Sequence, residues 1–310
     1  MNAMTSESTT AQVPAWIHTG PVSSPNRLSD LMAVTKARAN VAVIATVFVG
    51  FALHAEVLPR WFLLLHTLAG TALLAGSASM ANQAREQAFD RQMARTRNRP
   101  IAAGRLGRRT AGWLSGLFGV AGCLWLGVGV NALAMSFAGL AFLIYVFAYT
   151  PLKRRTPACT LVGAVSGALP VLIGWAATGA EFGLWAIVAF AVLFLWQIPH
   201  FMAITWWRRA DYLGAGYRVL PREDRQGYCT AAWALVFAIA VSAASLVPTL
   251  ANRVSGWYCL GALALGILFS ISSIQFLIRR NETSARSLFL ASLYFLPAVY
   301  ALMLLCRRSS

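Results

Sequence analysis

Residues 61–100 read WFLLLHTLAGTALLAGSASMANQAREQAFDRQMARTRNRP. The stretch 61–82 is apolar or small almost throughout, long enough to cross a hydrocarbon core of ~30 Å at ~1.5 Å rise per residue. From Arg85 onward the same run carries Glu86, Asp90 and four more arginines, at 91, 95, 97 and 99. The abrupt change marks a helix that leaves a bilayer into a charged loop.

Working outward, the pattern recurs. Apolar spans fall at 37–55, 61–82, 112–130, 132–150, 160–180, 183–205, 229–250, 256–278 and 287–306. Of 310 residues 58% are hydrophobic and only 12% charged, and the mean hydropathy is +0.62. Soluble domains carry about a quarter charged residues, so the composition excludes an ordinary soluble protein. The expected fold is an all-α, polytopic membrane bundle of about nine transmembrane helices around a central cavity that opens to the cytoplasmic side. Residues 1–30 are rich in Ser, Thr and Pro, lack an apolar signal core and hold only Arg27. They read as a disordered polar tail before a transmembrane domain at 31–310.

The net charge is +16. In a soluble chain that would suggest nucleic acid, but here the cations crowd into short loops between apolar spans and act as topology signals. Of 26 Lys and Arg, 22 lie on one side of the nine spans, and only Arg60, Arg253, Arg307 and Arg308 lie on the other. The positive-inside rule then places the N-terminus and the long loops 83–111 and 206–228 in the cytoplasm. With no transit-like segment in view, the expected site is a bacterial cytoplasmic (inner) membrane. The five cysteines, 123, 159, 229, 259 and 306, form no CxxC and give thiolate chemistry little support.

Asn82, Glu86 and Asp90 are spaced i, i+4, i+8 and share one helix face, but the outer two would be ~12 Å apart along the axis. Glu86 and Asp90, one turn apart, suit Mg²⁺, which takes one or two carboxylates plus substrate phosphate oxygens. The arginines downstream would meet anionic charge that the metal leaves exposed. The alternative is a solvated helix end stapled by Glu/Arg pairs.

A second polar stretch is Trp196-Gln197-Ile198-Pro199-His200-Phe201, followed by Trp206-Trp207-Arg208-Arg209-Ala210-Asp211-Tyr212. Polar groups at membrane depth are functional suspects, and Gln197 and His200, at i and i+3, are expected on one face. His200 otherwise reads as an interhelical hydrogen-bonding residue. Trp206, Trp207 and Tyr212 are expected to form an interfacial belt, and Gly163, Gly167 and Gly174 to serve helix packing. The turn Tyr149-Thr150-Pro151-Leu152-Lys153-Arg154-Arg155-Thr156 places Lys153 and Arg154 where they could reach an anion.

The first loop, with Asn82-Gln83, Glu86, Asp90, Met93, Arg95-Thr96, Asn98-Arg99-Pro100 and Gly104, resembles the first signature of the UbiA-type membrane prenyltransferases in their haem-directed branch. Further segments agree in order: Asp30-Leu31 through Thr35-Lys36, the Tyr149–Thr156 turn, Trp196–Phe201, Asp211-Tyr212, Ala215-Gly216 and Leu220-Pro221. Relatives acting on aromatic acids usually carry two aspartates four apart in the second loop, whereas Asp211 is followed here by Ala215.

The resemblance implies that farnesyl diphosphate alkylates a vinyl group of haem b, with water completing haem O and diphosphate released. It implies catalytic roles for Asp90, Asp211 and His200, Mg²⁺ on Glu86, Asp90 and Asp211, and diphosphate contacts from Asn82, Arg95, Arg99, Lys153 and Arg154. Gln197 and His200 would lie near the haem, His200 either as an iron ligand or as a base. The implied surroundings are the lipid bilayer and downstream haem-modifying or oxidase assembly proteins. Prenylation of an aromatic or quinone precursor is the alternative within the family, and a small transporter is the alternative outside it.

Overall fold

The computed structural model describes residues 26–54 and 60–307. The chain there is helical: α1 (Arg27–Val34), α2 (Ala37–Ala52), α3 (Trp61–Asp90), α4 (Arg108–Gly129), α5 (Ala132–Leu143), α6 (Thr150–Leu152), α7 (Cys159–Ala177), α8 (Leu184–Trp207), α9 (Arg209–Gly214), α10 (Leu220–Glu223), α11 (Tyr228–Leu250), α12 (Gly256–Arg279) and α13 (Glu282–Cys306). A π-helical segment, Ile144–Tyr149, joins α5 to α6 without a break. Among the described residues eight helices are long and apolar enough to cross a bilayer, counting Ala132–Leu152 as one. The pair α1 and α2, bent by 51° at its break, passes the same test together and gives a ninth candidate when counted as one span. This is a multi-pass membrane protein with the expected architecture.

The bend has a local cause. Lys36, between α1 and α2, has φ 51°, in the left-handed region that non-glycine residues rarely adopt. The first helix starts at Arg27 under an Asn26 cap, so residues 26–30, read as tail, are helical or capping. The remainder of that expected tail, 1–25, lies outside the described residues, as does Arg308.

Small residues set the helix spacing. A Cβ on Gly174 would run into the Val47 carbonyl oxygen, and one on Gly50 into the Val171 carbonyl oxygen, so α2 and α7 cross backbone to backbone. Gly163 faces the Tyr149 ring and Gly167 faces the Gln197 amide, which agrees with a packing role for all three expected glycines. Asn131 caps α5 and donates its Nδ2 to the Ala176 carbonyl at 2.8 Å, fastening that end of the bundle.

Candidate functional site

The 30 residues of α3 make it ~45 Å long, so its last turns rise past a ~30 Å hydrocarbon core. Those turns are nevertheless buried: Asn82, Gln83, Glu86 and Asp90 are each 3% exposed or less. Burying such groups is costly unless they are paired, and most of them are. Asn82 accepts from Lys36 Nζ at 2.8 Å and donates to Thr150 Oγ1 at 3.1 Å. Gln83 donates to the Val34 carbonyl at 2.7 Å. Glu86 lies 3.2 Å from Lys153 Nζ, and Asp90 accepts twice from Arg99 Nη1. The loop that returns Arg99 is fixed by Thr96, whose hydroxyl donates to the Asp90 carbonyl at 2.9 Å.

Of these residues Lys36, Glu86, Asp90, Thr96, Arg99 and Lys153 ring the mouth of a cavity of about 530 Å³, while Asn82 and Gln83 stand behind its lining. Glu86, Asp90, Arg95, Arg99, Lys36 and Lys153 line its polar end, while Val43, Leu74, Ala78, Ala138, Phe142 and Ile173 line its apolar depth. Tyr145 and Tyr149 stand between, their ring centroids 5.3 Å apart, both delivered by the π-helical segment. Arg85 supports that segment by donating to the Val146 carbonyl at 3.0 Å. Burial opposes the Lys153 ammonium, but the Glu86 carboxylate and the phenols of Tyr149 and Tyr145 outweigh it and hold its pKa well above the ordinary range. Lys153 therefore stays cationic at any physiological pH.

The two long loops meet over this mouth. Met93 of the first packs with Ala215, Tyr217 and Val219 of the second, and Phe89 lies 5.5 Å from Tyr217 between ring centroids. The Arg218 amide donates to the Lys153 carbonyl at 2.9 Å, tying the second loop to the α6 turn. Burial raises the Tyr217 phenol above its usual pKa, and the nearby Glu86 adds to this, so it remains a neutral hydrogen-bond donor.

The expected residues are not all gathered in one place. Asn82 is engaged by Lys36 and Thr150, Arg99 by Asp90, and Lys153 by Glu86; Arg95 lines the cavity with no ion pair among the described residues. Arg154 lies outside the lining, its guanidinium 4.7 Å over the Phe89 ring. Asp211 is half-buried in α9 and also outside the lining, because that short helix turns Tyr212 to the cavity instead. Among the described residues no three of His, Cys, Asp and Glu come together as a metal group; Glu86 and Asp90 line the cavity and Asp211 stands outside its lining. Glu86 and Asp90 remain as a pair. Glu86 Oε1 is buried, faces Lys153, and makes no hydrogen bond. Hard carboxylate oxygens one turn apart fit Mg²⁺ completed by substrate oxygens.

Gln197 lines the cavity, donating to the carbonyls of Ala164 and Leu193, both at 3.1 Å. His200 does not share its surroundings: three residues on is a rotation of about 300°, and that offset turns the ring to Ser292 of α13 at 2.8 Å. The Ser292 hydroxyl also lies 2.6 Å from the Phe289 carbonyl oxygen of its own helix. The expected aromatic belt also divides. Trp206 is buried and donates to the Arg280 carbonyl, the half-buried Tyr212 lines the cavity, and Trp207 stays half-exposed beside arginines.

Residues without an expected role here are Lys36, Tyr145, Tyr212 and Tyr217. A lysine next to the start of an apolar span was the available signal for the first; the tyrosines depend on a π segment and a loop fold that periodicity does not show.

A cavity that is apolar at depth and charged in both signs at its mouth defines a membrane-embedded protein that handles an amphiphile with an anionic head. A profile of the UbiA prenyltransferase family matches residues 43–296, and the chain belongs to that family. Protoheme IX farnesyltransferase of Solibacter usitatus is 37% identical over 291 residues, covering 90% of this chain and 99% of that one. The protein of the same name from Myxococcus xanthus is 36% identical, with 92% and 97% covered, and the mitochondrial one of Arabidopsis thaliana 35% identical, with 89% and 64% covered. In fold, the chain is similar to digeranylgeranylglyceryl phosphate synthase, with a TM-score of 0.74 at 14% identity over 90% of this chain and 97% of that one. It is also similar to a UbiA homologue from Archaeoglobus fulgidus bound to GPP and Mg²⁺, with a TM-score of 0.58 at 15% identity over 89% and 99%.

Proposed function

We propose that this prenyltransferase joins the farnesyl group of farnesyl diphosphate to a vinyl group of haem b, giving haem O, with water added and diphosphate released. The observation that carries this is that relatives 35–37% identical over about nine-tenths of the chain, from bacteria and from a plant mitochondrion, bear the name protoheme IX farnesyltransferase. The geometry supports it: an apolar cavity takes the prenyl chain, and the charged mouth takes its diphosphate.

Glu86 and Asp90 are the residues proposed to hold Mg²⁺, and Asp211, adjacent to the cavity-lining Tyr212, is proposed to join them from the second loop. Bound there, Mg²⁺ would neutralise charge on the departing diphosphate. Arg95, Lys153 and Lys36 supply fixed positive charge at the same mouth, where low dielectric strengthens it. Arg99 positions Asp90, and Asn82 positions Lys36. Tyr145, Tyr149 and the apolar wall enclose the allylic carbon as the bond to diphosphate breaks, and the packed loops keep bulk water from capturing it. Gln197 and His200 are proposed to lie toward the haem. The charge split places the N-terminus and both long loops in the cytoplasm, of a bacterial inner membrane by this reading; haem O then passes to haem-modifying or oxidase assembly proteins.

Membranes containing the chain, given haem b and farnesyl diphosphate, should form a more hydrophobic haem on reversed-phase chromatography. No product from haem, with product from a phenolic acid, would move the assignment to an aromatic acceptor.

A further inference from the structure

The apolar part of the cavity ends abruptly on four helices. Its lining stops at Val43 on α2, Thr71 on α3, Ala138 on α5 and Ile173 on α7. One turn further stand Val47, Thr67, Ala134 and Ala177, each 3% exposed or less and outside the lining. Leu74, Ala138 and Ile173 belong both to the cavity wall and to a buried apolar cluster with Phe51, Leu126 and Ala134. The Thr71 hydroxyl is engaged within its own helix, donating to the Thr67 carbonyl at 2.8 Å. The floor is therefore packed apolar side chain.

That floor is braced from behind. A Cβ on Gly174, next to Ile173, would run into the Val47 carbonyl oxygen, so the Ile173 backbone is pinned where α2 and α7 cross. A Cβ on Gly122 would meet the Leu74 side chain, and one on Gly70 the Leu126 side chain, so α4 closes behind α3. Ile173 is β-branched and stiff at χ1, which leaves it little freedom to swing aside. The depth of the apolar part can be read along α7. Gly163 faces the Tyr149 ring, and Ile173 lies ten residues on, ~15 Å at ~1.5 Å rise per residue. An extended farnesyl chain, eleven bonds from first carbon to last, spans ~13 Å at the ~1.2 Å per bond of an extended backbone, whereas geranylgeranyl, four bonds longer, spans ~18 Å.

We infer that Ile173, Leu74 and Ala138 set the chain length of the donor, admitting three isoprene units beyond the Tyr149 ring and stopping a fourth. This deepens the donor reading proposed above and rests on it. Selection by length has to be steric here. Lipid tails solvate a prenyl chain as well as an apolar cavity does, so burial alone separates donors of different length very little. A packed floor separates them, because a fourth unit must displace side chains that have nowhere to go.

The test is displacement of labelled farnesyl diphosphate from the full-length protein in nanodiscs with Mg²⁺, by unlabelled geranyl, farnesyl and geranylgeranyl diphosphates at one lipid concentration. On the wild type, geranylgeranyl diphosphate should displace the label at least roughly tenfold more weakly than farnesyl diphosphate. L74A/I173A removes slightly more carbon than one isoprene unit adds, and should take the two equally well. Ala138→Leu grows into the open cavity rather than into the packing behind it, and should come to prefer geranyl over farnesyl diphosphate. Should L74A/I173A bind no donor because its core has collapsed, Ala138→Leu decides alone. A wild type that binds farnesyl and geranylgeranyl diphosphates alike, or an Ala138→Leu variant that keeps the wild-type preference, overturns the inference. Haem O formed by a wild type indifferent to chain length would sink the floor's role and leave the function; selection by length without any product from haem b would do the reverse.

Discussion

Arg99 Nη1 donates to both carboxylate oxygens of Asp90, at 3.0 and 2.9 Å, across nine residues of the first loop. The Asp90 side chain is 3% exposed and that of Arg99 23%. The carboxylate proposed for the metal is thus already neutralised by a residue read from sequence as a diphosphate clamp. Removing the guanidinium strands a buried charge, at a cost of about 1–3 kcal/mol once the partial exposure of Arg99 is discounted. Arg99→Gln should therefore melt several degrees lower than the wild type in metal-free buffer, and Mg²⁺ with diphosphate should recover most of the difference. Melting unaffected in the metal-free sample would show that the pair carries no stability.

Asp90 and Asp211 come from loops that pack on each other, although only Asp90 lines the cavity. Asp90→Asn and Asp211→Asn should each cut turnover by several orders of magnitude and raise the Mg²⁺ requirement. The double variant should be little worse than either alone, as groups acting on one cluster are strongly non-additive. Losses that multiply in full would assign the two aspartates to separate tasks.

Gly174 crosses α2 with no room for a side chain, whereas a Cβ on Gly116 of α4 meets nothing within 4 Å. Gly174→Ala should destabilise the bundle by about 1–3 kcal/mol, the usual range for overpacking, and Gly116→Ala should stay near neutral. Thermal denaturation of the two variants in the same detergent compares them directly. Equal melting temperatures would mean that α2 and α7 yield more easily than carbonyl contact suggests.

Arg105 and Asn131 flank α4, so reporters joined after them should face opposite sides of the membrane. By the charge split the first is expected to face the cytoplasm. Both reporters on one side would remove α4 from the set of spanning helices.

The helical bundle was legible because apolar runs of span length have few other uses, and the i, i+4, i+8 spacing of Asn82, Glu86 and Asp90 did bring all three to one buried face of α3. Helical spacing failed for Gln197 and His200, since a three-residue step leaves an angular offset and two different neighbours, Ala164 and Ser292, claim the two side chains. It failed for Trp206 and Tyr212 because interfacial aromatics and buried ones have the same composition; only the fold of the second loop tells them apart. The left-handed turn at Lys36 left no glycine or asparagine to announce it.

The π-helical segment makes the catalytic end of α5 a matter of phase. A five-residue hydrogen-bond step holds one more residue per turn than the α-helix around it, and everything beyond is advanced accordingly. Were all six residues 144–149 wound as an ordinary α-helix with none removed, the downstream turn would be rotated by about 100°. Lys153 would then be carried away from Glu86, and the second loop, anchored through Arg218 on the Lys153 carbonyl, would go with it. One π-helical stretch in a single transmembrane helix thus sets the alignment of the Glu86 carboxylate, its Lys153 counter-charge and the second loop together.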